Sequence, residues 1–157
     1  MLKKYVIVFL LSMVPIFELR GAVPIALHQG LPTIPAYVVC IIGNMLPVPL
    51  IYFFARKVLI WGAGKPYIGR LFSWFLQKGE RGGRKLRARA GRGGLFLALM
   101  LFVGIPVPGT GAWTGTLAAS LLDMGWKSTA AAVSLGVMIA GIIMALASMG
   151  VLSVFGI

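Results

Sequence analysis

Ten residues, Pro15-Ile16-Phe17-Glu18-Leu19-Arg20-Gly21-Ala22-Val23-Pro24, limit what the rest of the chain can become. They set a carboxylate and a guanidinium two residues apart inside an otherwise apolar run of roughly membrane length. Each charge at that depth costs at least ~2.5–3.5 kcal/mol on insertion scales, so an ionisable residue there marks a functional site by default. Two prolines and a glycine around the pair work against one continuous helix. Broken backbone at membrane depth is tolerated only where protein buries it or where it lines a wet cavity. The stretch therefore demands a partner elsewhere in the chain.

Composition says what surrounds it. Of 157 residues 59% are hydrophobic and only 11% charged, against about half and about a quarter in soluble domains, which makes this an integral membrane protein. The formal net charge of +12 would suggest nucleic acid in a soluble chain. Here the basic residues cluster beside apolar segments, where anionic lipid head groups are the natural partner, and no nucleic-acid partner is expected. The single cysteine, Cys40, lies in an apolar run and reads as packing. Met1-Leu2-Lys3-Lys4 and the apolar run after it resemble a secretion leader, but the run continues into Glu18 and Arg20 without a cleavage-like site, so it reads as retained. With no metal-ligand cluster, nucleotide-binding loop or catalytic triad in the sequence, neither an enzyme nor a cofactor or metal site is expected.

Four apolar blocks follow from hydropathy. Residues 5–30 form the first, interrupted by the Pro15–Pro24 stretch; 36–55 form the second, with Gly43-Asn44-Met45-Leu46-Pro47-Val48-Pro49 inside it. Asn44 is a polar group that needs a partner there. The third, 94–122, is broken at Gly104-Ile105-Pro106-Val107-Pro108-Gly109-Thr110-Gly111-Ala112-Trp113-Thr114-Gly115, and the fourth, 129–155, repeats small residues at Ala132, Gly136 and Ala140, a face for close helix contact. Between the second and third, Arg56 to Arg92 holds eleven basic residues and one acid, Glu80. Ile68, Leu71, Phe72, Phe75 and Leu76 fall on one helical face, which predicts an amphipathic interfacial helix over 66–78, broken by Gly79, Gly82 and Gly83. The plainer reading of the polybasic run is a solvated loop that sets topology; the sharper one has Arg84, Lys85, Arg87 and Arg89 contact lipid head groups.

The halves repeat. Gly21-Ala22 is followed ninety residues later by Gly111-Ala112, and Gly43 ninety-three later by Gly136. One membrane domain of two repeats results, 1–57 and 94–157, joined by a basic linker, 58–93. Interrupted apolar segments at equivalent positions point to a transporter site between the halves. Four full crossings satisfy the positive-inside rule best; the broken centres favour re-entrant hairpins in inverted halves.

The Phe17–Pro24 elbow, the Gly43-Asn44-x-x-Pro47 span and the Pro106-x-Pro108-Gly109-Thr110-Gly111-Ala112-Trp113 elbow together resemble the bacterial "putative small multidrug export protein" family. That family is thought to belong to the wider DedA/VTT (SNARE-associated) superfamily, and the likeness covers essentially the whole chain. It implies an all-α membrane fold: an inverted repeat of re-entrant helical hairpin plus transmembrane helix, in the bacterial inner membrane and multi-pass. DedA relatives are associated with lipid translocation, including the undecaprenyl-phosphate carrier. They carry arginines in the second elbow; this chain has no charge there, so Arg20 alone would serve.

These readings converge on a site between two elbows, shaped by Pro15, Gly21, Pro24, Pro106, Pro108, Gly109 and Gly111, with Glu18, Arg20, Asn44, Thr110 and Thr114 binding substrate or proton. Burial raises a carboxyl pKa and a neighbouring guanidinium lowers it, which suits a proton carrier, while the planar arginine fork suits a phosphate. The plain alternative is that Glu18 and Arg20 pair with each other and hold the hairpin. The leading expectation is proton-coupled translocation of an anionic amphiphile such as a polyprenyl phosphate. Its rivals are proton-coupled export of cationic drugs and a scaffold without transport. A homo-oligomer is expected, since four embedded blocks hardly enclose a path.

Overall fold

The computed structural model describes residues 1–107 and 110–154, with the side chains at positions 75, 79, 82, 83, 86, 87 and 151–154 left aside. Pro108 and Gly109, expected to shape the second elbow, and the side chain of Arg87, expected to meet lipid, lie outside the described residues. Among the described residues the regular elements are all helices: α1 (Leu2–Met13), α2 (Glu18–His28), α3 (Thr33–Met45), α4 (Pro47–Ala63), α5 (Gly69–Gly104), α6 (Ala112–Leu121) and α7 (Trp126–Val154).

Length divides them into two kinds. α3 and α4 form one rod: Leu46 between them keeps helical torsions, and only the hydrogen-bond ladder lapses, because Pro47 and Pro49 have no N–H to donate. This rod, Thr33–Ala63, has 31 residues and a mean hydropathy of 2.1; Trp126–Gly150 of α7 has 25 and 2.4. At ~1.5 Å per residue both exceed the ~30 Å of bilayer hydrocarbon. α1, α2 and α6 have 12, 11 and 10 residues, so each reaches only ~15–18 Å. α5 is nominally 36 residues long but Gly91 (φ 65°, ψ −174°) interrupts it, leaving 92–104 as a short arm of ~20 Å.

The short helices fold back in pairs. The Lys4 ammonium near the start of α1 donates to the Gln29 carbonyl just past α2, at 2.7 Å, which closes the open end of the first hairpin. In the second, Leu99 and Val103 of the 92–104 arm pack over Gly115 of α6, and Arg92 and Leu95 share a cavity with Asp123 and Met124 at its open end. The long rods run in opposite directions. Tyr37 of α3 donates to the Met138 carbonyl at 2.7 Å, Ser134 meets the Met45 sulfur at 3.8 Å, and the Trp126 and Phe53 rings lie 5.1 Å apart, so α7 numbers fall as α3–α4 numbers rise.

Alanines are prominent in the interior, beside valines and leucines, and many large apolar residues lie outside. Ala22, Ala26, Ala36, Ala112, Ala119, Ala132 and Ala140 are buried, whereas Leu10, Ile42, Leu50, Phe54, Leu117 and Ile142 are exposed. That distribution suits lipid, where helices associate by close packing of small residues and not by a hydrophobic driving force. A Cβ on Gly43 would strike the Phe9 carbonyl and Ser12 of α1; one on Gly136 would strike the Met100 carbonyl and Val103 of the 92–104 arm. The two glycines matched in the sequence therefore hold the first arm of their own hairpin against the following rod. The Ala132–Gly136–Ala140 face is used inside the chain.

Three boundaries differ from expectation. The amphipathic helix begins at Gly69 and runs through 79, 82 and 83 to a first break at Gly91, because the Lys, Arg, Gln, Leu and Ala between these glycines are good helix formers and a helical glycine costs only ~1 kcal/mol. The second block continues as helix to Ala63, where the Phe72 ring occupies the space over Gly62. The first elbow is confined to residues 14–17, so Gly21 and Pro24 lie within α2. Proline's fixed φ is helical, but Pro24 forfeits its donation to the Arg20 carbonyl and its ring crowds that carbonyl, a cost of about 3 kcal/mol that the packing of α2 offsets.

Candidate functional site

The two elbows meet tip to tip, and the helix ends there are capped across the junction. α6 starts at Ala112, where its first amides have no helical acceptor. The Glu18 carboxylate fills that role: the Trp113 N–H donates to Glu18 Oε1 at 3.1 Å. A negative charge at a helix N-terminus is worth about 0.3–1 kcal/mol, more when partly buried. α5 ends at Gly104 with free carbonyls, and Arg20 takes them. Its Nη2 donates to the Val103 and Ile105 carbonyls, each at 3.1 Å, and to Thr110 Oγ1 at 2.8 Å; Nη1 donates to the carbonyls of Val107 and Thr110. The Trp113 indole N–H donates to the Met13 carbonyl, the last of α1, at 3.0 Å. Each hairpin thus finishes the other's broken helices.

This arrangement differs from the plain alternative, in which Glu18 and Arg20 pair with each other. Among the described residues the ion pairs join Arg56 to Glu80 and to Asp123, while Glu18 and Arg20 each turn to the opposite hairpin. Glu18 adopts φ +46°, a left-handed conformation that costs a non-glycine residue roughly 1 kcal/mol. Gly111 (φ +156°) lies directly beneath its carboxylate, where a Cβ would overlap both oxygens. The need for glycine at this point is thus local: a Cβ would collide with the carboxylate that caps the α6 N-terminus.

A cavity of about 360 Å³ opens at the junction, lined by Pro15, Ile16, Phe17, Glu18, Arg20, Gly21, Pro106, Val107, Thr110, Thr114 and Met144. Most of the expected site is here. Thr110 donates to the Ile105 and Val107 carbonyls while accepting from Arg20, and Thr114 leans on the Gly111 carbonyl at 3.5 Å, so both hydroxyls serve their own loop first. Asn44 is not brought to the cavity. It is buried in α3, and its Oδ1 has no partner among the described residues, because α3 turns that side toward the bundle interior. Arg84, Lys85 and Arg89 are exposed on the half of α5 before Gly91. The indole of Trp113, Met144 and the carbonyl row of 103–107 were not foreseen. A tryptophan in an apolar run needs a hydrogen-bond partner, which is the one signal that pointed to Trp113; backbone carbonyls carry no residue signature.

The family model described as "Putative small multi-drug export protein" matches residues 18–143, from Glu18 just past the first elbow, through the second and into α7. The chain belongs to that family. No curated protein and no solved structure matches it. In this small multi-drug export family member the matched span opens on the first capping residue and takes in Arg20 and the second elbow, while Pro15, Ile16, Phe17 and Met144 of the cavity wall lie just outside it.

Proposed function

We propose that this protein is a secondary transporter of the small multi-drug export type whose substrate site is the elbow cavity, taking a cationic amphiphile in exchange for a proton at Glu18. The observation that carries the reading is the state of the two charges: both terminal amino groups of Arg20 are engaged by carbonyls and Thr110, so an anion would have to displace them. Glu18 accepts from the Trp113 N–H and is the one acid on a wall otherwise made largely of apolar groups, Ile16, Phe17, Val107 and Met144. Apolar walls around one carboxylate suit a lipophilic cation.

The proposed membrane arrangement follows from lengths and bonds. Hairpins of ~15–20 Å arms enter and leave by one face, α3–α4 and α7 span, and the open ends lie on opposite faces, an inverted repeat with its elbows near mid-depth. The basic section supports an orientation with the second open end inside, and the proposed location is the bacterial inner membrane with more than one crossing. The cavity opens to the outside of one copy, which favours a homo-oligomer.

A second reading, translocation of a polyprenyl phosphate as in DedA-like proteins, is favoured by one feature: with Glu18 withdrawn, the α6 amides and Arg20 face the same cavity and would accept a phosphate. Arg20→Ala does not separate the two, since it strips the caps from α5 under either. Glu18→Gln does, because glutamine still accepts from Trp113 and keeps the fold. In proteoliposomes with a pH gradient, cation export predicts that Glu18→Gln slows uptake of a fluorescent lipophilic cation on the order of tenfold, the equivalent of ~1.4 kcal/mol. Phosphate translocation predicts unchanged or faster movement of a fluorescent polyprenyl phosphate. Movement of neither probe by folded wild-type protein would leave the scaffold.

A further inference from the structure

Three buried polar atoms have no hydrogen-bond partner among the described residues: Asn44 Oδ1, Thr116 Oγ1 and Thr129 Oγ1. Their residues are 2%, 0% and 0% exposed. An unpaired buried polar group costs about 1–3 kcal/mol, and three in one small bundle call for a common explanation. They come from three helices, α3, α6 and α7, none of which can supply the missing bond from its own side chains.

Hydrogen bonds and ring contacts fix how these helices stand against one another. Ser120 of α6 donates to the Tyr52 carbonyl of α4 at 3.0 Å, and Arg56 pairs with Asp123. α6 therefore runs beside α4 in the same direction, and Thr116, one turn before Ser120, falls level with Val48. On α7, Trp126 stands at Phe53 and Ser134 at Met45, which sets Thr129 near the level of Leu50. Asn44 precedes Met45. The three orphan atoms thus occupy about 9 Å along the bundle axis. The face of α6 that carries Thr116 bears the Glu18 carboxylate at its first amides, then Thr116 and Ser120, with Asp123 in the turn just past its end. It begins at the elbow cavity and ends at the second cavity, of about 700 Å³, which Asp123, Lys127, Ser128 and Arg92 line.

We infer that a file of bound water lies along this face of α6, held by Asn44, Thr116 and Thr129, and joins the elbow cavity at Glu18 to the basic end at Asp123. Buried waters occur where two to four polar groups converge, and they satisfy groups that protein atoms leave open. Such a file is a route for protons: a hydronium arriving from the Asp123 end passes its proton from water to water, and Glu18 accepts it as the carboxylic acid, releasing water. The wet passage does not depend on which substrate the cavity takes.

The test uses thiol chemistry, which needs water to ionise the thiol. In a Cys40→Ala background, Thr116→Cys, Thr129→Cys and, as a dry control from the same core, Val133→Cys are exposed in membranes to silver ion, then unfolded in detergent and labelled with a maleimide. Silver should protect Thr116→Cys and Thr129→Cys roughly tenfold faster than Val133→Cys. Equal rates would overturn the water file. Thr116→Val and Thr129→Val supply a second reading that needs no labelling. Replacing a dry, unpaired hydroxyl by methyl stabilises, so a raised Tm in both would also overturn it, and an unchanged or lowered Tm is the expected result. Neither measurement involves transport, so its failure is separate from any failure of the drug-export reading.

Discussion

Glu18 and Arg20 act on the two sides of one break, the carboxylate on the start of α6 and the guanidinium on the end of α5. Gly111 is the residue that lets them do so. Gly111→Ala should lower stability by about 2–3 kcal/mol, combining a strained φ with the displaced cap, read as a fall in Tm of the purified protein. In a Glu18→Ala background the same substitution should cost about half as much, since the collision is gone and contacting residues are not additive; an undiminished cost would place the defect elsewhere. The sequence made both charges legible, since an ionisable residue in an apolar run is conspicuous on its own. It could not show their partners, because the acceptors of Arg20 are backbone carbonyls that every residue owns. Asn44 illustrates the converse: its type announced a polar role, but only the rotation of α3 decides which side it faces.

At the scale of elements, the 92–104 arm and α7 are joined by backbone-to-backbone approach at Gly136. Gly136→Leu should drive the Met100 carbonyl and Val103 apart from α7 and leave no folded protein by size-exclusion chromatography, whereas Gly125→Ala, where a Cβ meets nothing within 4 Å, should fold as wild type. Normal folding of Gly136→Leu would show that this contact is not what holds the second hairpin. The pairing of Gly43 with Gly136 was readable in the sequence, and each glycine packs its rod against the arm before it. The end of the amphipathic helix was not. Glycines at 79, 82 and 83 look like breakers, yet a breaker matters only where the backbone leaves helical torsions, and that happens at Gly91. Pro24 teaches the same lesson inside α2.

Over the whole molecule, charge and apolar surface are segregated. Arg84, Lys85 and Arg89 project from α5 beyond an exposed apolar strip of Ile68, Leu71 and Trp74, with the Lys78 ammonium 4.4 Å from the Trp74 ring centre. This combination fits the surface of an anionic bilayer, at ~1 kcal/mol for each basic residue near it. Nanodiscs containing phosphatidylglycerol should therefore raise the Tm above that in phosphatidylcholine, and the triple change of Arg84, Lys85 and Arg89 to Glu should erase most of the gain. An equal Tm in both lipids would leave this segment a solvated helix that only sets topology.

The crosswise capping of the elbows also sets a schedule. Glu18 and Arg20 leave the ribosome some ninety residues before Thr110 and Trp113, and at ~5–20 residues per second that is an interval of roughly 5–20 s. During it the first hairpin holds two uncapped charges and an unfinished α1 terminus with nothing of its own to complete them. The first half of the chain is therefore born as a client, and the second half is the chaperone it waits for.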